Sequence, residues 1–301
     1  MIKVFVPATS ANMGAGFDCL GMALSLYNTV IVDPREEGLI LDFPESDLPL
    51  VEEGENNLVY RTMKETYKIV GRPMPGLYLR QINGIPITRG LGSSAACIVA
   101  GIIAANALMG QPLKKRDIIE LATRMDGHPD NVLPALIGGV TVAAMENERV
   151  YYVKQMSVDF VRFAVMIPDF PLPTSMARGI LPEEISRKDA VYNISRASLM
   201  MASLITGKVE NLWAASDDRL HQPYRKKFIP HFDDIVAKAK ELGAKGMFLS
   251  GAGPTMIAIL DKDYQRFQYE MDYYTSTFED KWEVHILEVC RDGAWWEEVE
   301  A

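Results

Sequence analysis

Gly90-Leu91-Gly92-Ser93-Ser94-Ala95 runs without interruption into the apolar stretch Ala95 to Ala105. Glycines allow tight turns and close approach of a ligand to the backbone. A helix start carries unpaired N–H groups and a partial positive charge. Together these features form a cradle for phosphate, and the hydroxyls of Ser93 and Ser94 could meet phosphate oxygens or a metal bound to them. A plainer reading makes Ser94 the N-cap of an ordinary buried helix. The P-loop pattern is absent, because Gly-Lys-Ser/Thr occurs nowhere in the chain. A dinucleotide fingerprint also fits poorly, lacking its third glycine and the acid that should follow.

The elements that must hold this loop can be read from periodicity and turn residues. Residues 2–6 and 23–32 read as strands, the second ended by Asp33-Pro34. Residues 57–70 have helical spacing, with Leu58, Tyr60, Met63, Tyr67 and Val70 apolar. A strand at 76–82 leads into the glycine loop and its helix; a second helix follows at 115–125, then a hairpin from 138–145 and 150–156. The second half begins with a strand at 161–167 and continues in helices to about 243. Strands at 244–250 and 255–260, a helix at 263–278 and a strand at 282–289 complete it. That order is the split βαββαβ of ferredoxin-like domains. The expected organisation is therefore α+β with two domains, 1–158 and 159–301, and a loosely held acidic tail.

Composition narrows the classes of function. The chain has 301 residues, 48% hydrophobic and 24% charged, which suits a folded globular protein. A net charge of −9, from 31 basic and 40 acidic residues, argues against a nucleic-acid or anionic-membrane partner. Cys19, Cys97 and Cys290 are too few and too widely spaced for a disulfide framework or zinc site, so a cytoplasmic protein is expected. No signal peptide is expected, and the longest apolar run is too short to span a bilayer.

Three stretches, PATSANMGAGFDCLGMAL (7–24), PITRGLGSSAA (86–96) and LSGAGPTMIAI (249–259), occur in the order of the three motifs of the GHMP kinases, which the chain resembles over nearly its whole length. The resemblance implies a two-domain fold with an N-terminal α+β nucleotide-binding domain and a C-terminal ferredoxin-like domain. It implies ATP as co-substrate, with Gly90, Leu91, Gly92, Ser93, Ser94 and Ala95 wrapping the phosphates and the 251–255 loop closing over the site. Asn57 is either a helix N-cap or a residue facing the adenine.

Within the family the homoserine kinase branch fits best. SANMGAGFDCLG resembles that branch's first motif, with Ala15 where proline is usual. DGHPDNVLPALIGG (126–139) resembles a further stretch, with Asp126 in place of the usual glutamate, and TSMARGILP (174–182) and DRLHQPYRKKFIP (218–230) match two more. L-homoserine is a zwitterion with a neutral hydroxyl nucleophile. Arginine suits its carboxylate, because the guanidinium fork matches it bidentately. The resemblance raises Arg178 and Arg225 above the chain's other arginines for that role, and Asn12 and Asp18 are candidates for the amino end. Thr174, Gly251 and Gly253 are further substrate contacts by the same matching. Asp126 with Ser94 would hold magnesium, though a helix-terminal acid is the plain alternative for Asp126. His128 either contacts the substrate hydroxyl or orders its loop. Asn131 stands where related mevalonate kinases place an aspartate base, and an amide cannot take a proton. Asp130, just before it, is expected to point away. Direct transfer in a ternary complex is therefore expected, with Asn131 orienting the hydroxyl. Many relatives are dimers, so a homodimer is expected. The rivals are a kinase of another small alcohol, the family's ATP-dependent decarboxylase, which needs a catalytic aspartate, and a non-catalytic ATP- or amino-acid-binding homologue.

Overall fold

The computed structural model describes residues 1–44, 52, 54–155 and 158–300; the expected last residue of the hairpin, 156, lies outside them. Among the described residues two sheets form. The larger contains β1 (Ile2–Ala11), β2 (Leu20–Arg35), β3 (Leu39–Asp42), β4 (Gly76–Asn83), β5 (Val140–Glu146), β6 (Arg149–Gln155) and β11 (Trp295–Glu298). The smaller contains β7 (Arg162–Pro168), β8 (Gly246–Leu249), β9 (Met256–Leu260) and β10 (Trp282–Leu287), in the order β10-β7-β9-β8, all antiparallel. Helices α1 (Leu58–Val70), α2 (Ser93–Leu108), α3 (Lys115–Asp126) and α4 (Pro129–Ile137) belong to the first half. The second half adds α5 (Thr174–Gly179), α6 (Arg187–Thr206), α7 (Leu212–Ser216), α8 (Gln222–Arg225), α9 (Phe232–Glu241) and α10 (Tyr264–Thr275).

Strand parity explains why the smaller sheet reads as nearly continuous apolar sequence. Phe163, Val165, Ile167, Phe248, Ile257 and Ile259 join the main core shared with the first half. Their neighbours Ala164, Met166, Met247, Leu249, Met256, Ala258 and Leu260 point the other way, into a core with residues of α9 and α10. Alternate side chains leave a strand on opposite faces, so a sheet covered on both faces needs apolar residues at every position. The helix α2 is buried all round for a similar reason: it packs against α1, α3, α4 and the larger sheet. That burial anchors the loop in front of it.

The structure departs from expectation in four places. β1 continues to Ala11 and β2 through Pro34 to Arg35. Proline is tolerated there because the ladder with β1 stops at the pair of Ile2 and Val32, before Pro34 is reached. A short strand that the sequence pattern does not announce, β3, lies parallel to β4. The segment 129–137, for which no element is expected, is the helix α4. The tail is not loose: Trp295–Glu298 pairs antiparallel with β1, and Trp295 stacks on Phe5 with ring centres 4.8 Å apart. No helix among the described residues is long and apolar enough to cross a membrane.

Candidate active site

A cleft of about 600 Å³ opens where the motif segments meet. It is lined by Asn12, Asp18, Asn57, Gly90, Gly92, Ser93, Ser94, Ala95, Asp126, His128, Asn131, Thr174, Arg178, Arg225 and Gly251, so nearly all the candidate residues converge. Leu91 and Gly253 do not line it. Leu91 is buried, and its backbone carbonyl accepts the Thr9 N–H at 3.0 Å. Gly253 backs the loop: a Cβ on Gly90 would stand 2.7 Å from its carbonyl oxygen. Both act on the site through backbone packing. Asp130, Gln81, Arg61 and Arg89 also line the cleft.

The glycine loop is interlocked with segments from both halves of the chain. Ser250 Oγ donates to the Gly90 carbonyl at 2.6 Å and can accept from Ser10 Oγ, 2.9 Å away. Asn12 Nδ2 and Arg225 Nη1 both donate to the Gly251 carbonyl, at 2.9 and 3.0 Å. Gly90 and Gly92 have φ of 77° and 71°, a region that favours glycine. The N-cap of α2 is Gly92, not Ser94; Ser93 and Ser94 are the first helical residues. The first helical bond runs from Ala96 N–H to the Gly92 carbonyl, so the N–H groups of Ser93, Ser94 and Ala95 have no helical partner. With no side-chain cap on them, they are available to an anion.

Asn57 is the N-cap of α1 and also lines the cleft. Its Oδ1 accepts the Tyr60 N–H at 3.1 Å as an N-cap, and its amide faces the cleft within 3.5 Å of Gln81 Oε1.

At the other end of the cleft the charges collect. Asp18 accepts from Arg178 (Oδ1 to Nη2, 3.0 Å) and lies 3.6 Å from His128 Nδ1. Asn12 and Asp18 both have positive φ, 71° and 55°, and are held there by the bond from Asp18 N–H to Asn12 Oδ1 at 3.0 Å. Arg225 is 1% exposed. Its Nε donates to Ala177 O, and Nη1 to Gly251 O; Nη2 makes no hydrogen bond to a described residue. Both arginine forks are thus partly engaged within the protein, which differs from two open forks. Burial, and next the Arg178 charge, bring the Arg225 guanidinium down to about 10, so it stays cationic at neutral pH.

Burial pushes the Asp126 carboxyl up to about 6, against the pull of Arg178. Burial, then the charges of Asp18 and Asp126, push Asp130 up to about 7. Burial holds the His128 imidazole below its usual value despite Asp18, so it is neutral at pH 7. Asp130 does not point away: it is the second residue of α4 and faces the same space as Asp18. Asn131 Oδ1 accepts from Thr9 Oγ1 at 2.8 Å, which fixes its amide at the foot of the glycine loop.

Such poorly neutralised acids favour a cationic ligand. Ser94 and Asp126 supply hard oxygen donors in the same cleft as the free N–H groups. Among the described residues no three His, Cys, Asp or Glu side chains form a self-contained cage. This donor set fits magnesium, which takes few protein oxygens and completes its shell with phosphate and water.

The raised carboxyls have a consequence for stability. Between about pH 4 and pH 7 the folded chain keeps the Asp130 proton while the unfolded chain has lost it, so stability falls as pH rises through that window. Asp130→Asn removes the penalty. Its ligand-free melting temperature should exceed the wild type's at pH 8, by on the order of a few degrees, and match it near pH 4. Thermal melts across pH check this; an equal gain at both ends would reject it.

Residues 57–139 match the GHMP kinases N terminal domain and residues 201–271 match GHMP kinases C terminal. The homoserine kinase of Petrotoga mobilis is 48% identical over 97% of this chain and 95% of its own. That of Caldicellulosiruptor bescii is 51% identical over 98% and 96%. The crystal structure of homoserine kinase from Cytophaga hutchinsonii superposes with a TM-score of 0.89 at 27% identity, covering 98% of this chain and 97% of that one.

Proposed function

The chain belongs to the GHMP kinases, and within them to the homoserine kinases, and on that premise we infer that it transfers the γ-phosphate of ATP to the hydroxyl of L-homoserine. The product is O-phospho-L-homoserine, an intermediate of threonine biosynthesis. The observation that carries this reading is the meeting of three motif segments, from residues 9–18, 90–95 and 250–253, around one cleft with free helix N–H groups at one end and a carboxylate–arginine cluster at the other. Purified protein with magnesium and ATP should form O-phosphohomoserine and ADP in equal amounts; neither mevalonate nor galactose should replace homoserine. Absence of the phosphorylated product overturns the reading.

In this reading the ATP phosphates lie on the N-terminus of α2, with the adenine towards Asn57 and Gln81. Homoserine lies between Asn12, Asp18 and Asp130 at its ammonium and Arg178 and Arg225 at its carboxylate. Thr174, at the start of α5, borders the same end. The Asp18–Arg178 pair offers one group to each end of the zwitterion. Magnesium, held by Ser94 and Asp126, would neutralise charge on the transferring phosphoryl group. Phosphoryl transfer needs positioning and charge neutralisation more than covalent help. Asn131, pinned by Thr9, orients the hydroxyl; the proton leaves late, to a phosphate oxygen, without a side-chain base. His128, neutral and next to Asp18, orders the loop between α3 and α4. The same reading divides the chain at residue 158, with β11 reaching back to the first sheet, and places a homodimer in the cytosol.

The carboxylate assignment has a direct test. A charge-assisted pair is typically worth about 2 kcal/mol, or about thirtyfold in an equilibrium constant. Arg178→Ala should raise the homoserine KM by about that factor, and Arg178→Lys by less, since lysine keeps the charge and loses the fork. The ATP KM should move much less. Steady-state kinetics in both substrates decide: a larger effect on ATP assigns Arg178 to the nucleotide.

A further inference from the structure

We propose that His221, which does not reach the cleft, positions Arg225 for the substrate carboxylate by standing behind it as a neutral hydrogen-bond acceptor. The proposal rests on the reading of Arg225 given above and adds a residue that reading does not use.

The ring is completely buried, and its two nitrogens meet partners of opposite kind. Nε2 lies 2.8 Å from the Gly14 carbonyl oxygen. A carbonyl has no proton, so Nε2 carries the hydrogen. Nδ1 lies 3.2 Å from Arg225 Nη1. A guanidinium offers only donors, so Nδ1 must keep its lone pair. The two neighbours together select one tautomer and exclude the doubly protonated ring, whose Nδ1–H would face an Arg225 N–H. Burial acts in the same direction, lowering the imidazole pKa.

The surroundings hold the ring in register. Asp218, itself 3% exposed, accepts the backbone N–H groups of Leu220, His221 and Gln222 at 2.9, 2.9 and 2.6 Å and the Asn193 amide at 2.6 Å. The turn that presents the histidine is thereby fixed, and a compensating negative charge is buried near Arg225. Phe17 stacks on the ring with centres 5.2 Å apart and lies 5.3 Å from the Arg225 guanidinium. His221 therefore couples the positive-φ loop at residues 12–14 to Arg225, four residues further along the chain. With Nε bound to Ala177 O and Nη1 shared between Gly251 O and His221, only rotation that breaks these bonds can withdraw the guanidinium from the cleft.

The test separates the two ring nitrogens. In His221→Asn the amide oxygen can replace Nδ1 as acceptor, while the bond to Gly14 is lost. In His221→Gln the amide nitrogen can replace Nε2, while the acceptor for Arg225 is lost. Each variant of the full chain loses one hydrogen bond, so their melting temperatures should fall together. Their homoserine KM should diverge: about a tenfold rise for Gln and less than about threefold for Asn, with ATP KM and kcat within about twofold of wild type. Equal homoserine KM in the two variants, or KM that simply follows the melting temperatures, overturns the proposal. The ¹⁵N spectrum of the wild-type ring gives a test free of folding defects, with Nε2 protonated and Nδ1 bare at pH 7 expected; a protonated Nδ1 overturns it. Arg225→Lys separates the layers. If it raises homoserine KM while His221→Gln does not, only the role of His221 fails; if it leaves homoserine KM unchanged, Arg225 does not bind the carboxylate and both readings fall.

Discussion

Asp126→Ala is expected to lower kcat by about a hundredfold to a thousandfold, the loss usual when one strong electrostatic contact to a charged transition state is removed. The residue ends α3 and lines the same cleft as Ser94, and no hydrogen bond ties it to another described side chain. Its carboxyl is pushed up to about 6 by burial, so the ligand-free protein holds a carboxylate in a place that disfavours one. A bound cation reverses that preference. Magnesium must displace the proton to bind, so wild-type magnesium affinity should strengthen as pH rises from about 5 to about 7, and the variant should lose that dependence. Ser94→Ala should have a smaller effect of the same kind, because a hydroxyl is a neutral ligand. Folding should survive in both; the alanine at 126 should even raise the melting temperature at pH 8, since it removes an unfavourable buried charge. The measurement is turnover against magnesium concentration, beside a thermal melt. Full activity with an unchanged magnesium requirement in Asp126→Ala would show that the metal is held elsewhere.

What could be read in the sequence was what depends on near neighbours. The glycine loop, the N-cap of α1 at Asn57 and the Gly127 stop of α3 each follow from residues within one turn of each other. The strands of the smaller sheet were legible because burial on both faces writes itself as unbroken apolar sequence. The helix α4 was not. Its run P-D-N-V-L-P contains two prolines, and only the first, Pro129 at the start of the helix, is in a favourable position. Pro134 lies inside the helix, where the surrounding core of Val132, Leu133 and Ala135 stabilises a conformation that local preference opposes. The strand β11 was missed because its partner β1 lies almost the whole chain away.

The same distinction divides the site. Arg225 and Arg219 are six residues apart and look alike in sequence, yet the first is buried under the cleft and the second forms a half-exposed pair with Asp189. The difference comes from Phe17, Ala177 and Gly251, none of them local to either arginine. Asp130 is obscured in the sequence because its neighbour Asn131 takes the position that aligns with the family's aspartate. In the helix α4 both side chains reach the cleft, from the second and third helical residues.

Gly92→Ala should be as damaging to turnover as loss of Asp126, for a reason that is steric. An added Cβ would stand 1.9 Å from Thr9 Oγ1 and 3.2 Å from Asn131 Oδ1. Thr9 cannot retreat. It is fully buried, its hydroxyl is bonded to Asn131, and its N–H is bonded to the Leu91 carbonyl within the loop itself. The backbone at residue 92 must therefore shift, carrying the N–H groups of Ser93 and Ser94 away from their present aim and loosening the amide that orients the nucleophile. A displacement of about 1 Å in positioning groups typically costs about a hundredfold in rate. Because phosphate cradle and Asn131 move together, kcat should fall by at least that factor and the ATP KM should rise with it. Part of any effect will come from the left-handed conformation, φ 71°, which costs a non-glycine residue about 1 kcal/mol. Gly110→Ala isolates that part: its φ is 75°, a Cβ there would meet nothing within 4 Å, and it does not line the cleft. Both variants should melt a few degrees lower, Gly92→Ala by more. Only Gly92→Ala should lose activity. Comparable turnover in the two variants would mean that the loop tolerates a side chain between Thr9 and Asn131, and that the close approach at Gly92 does not hold the cradle in place.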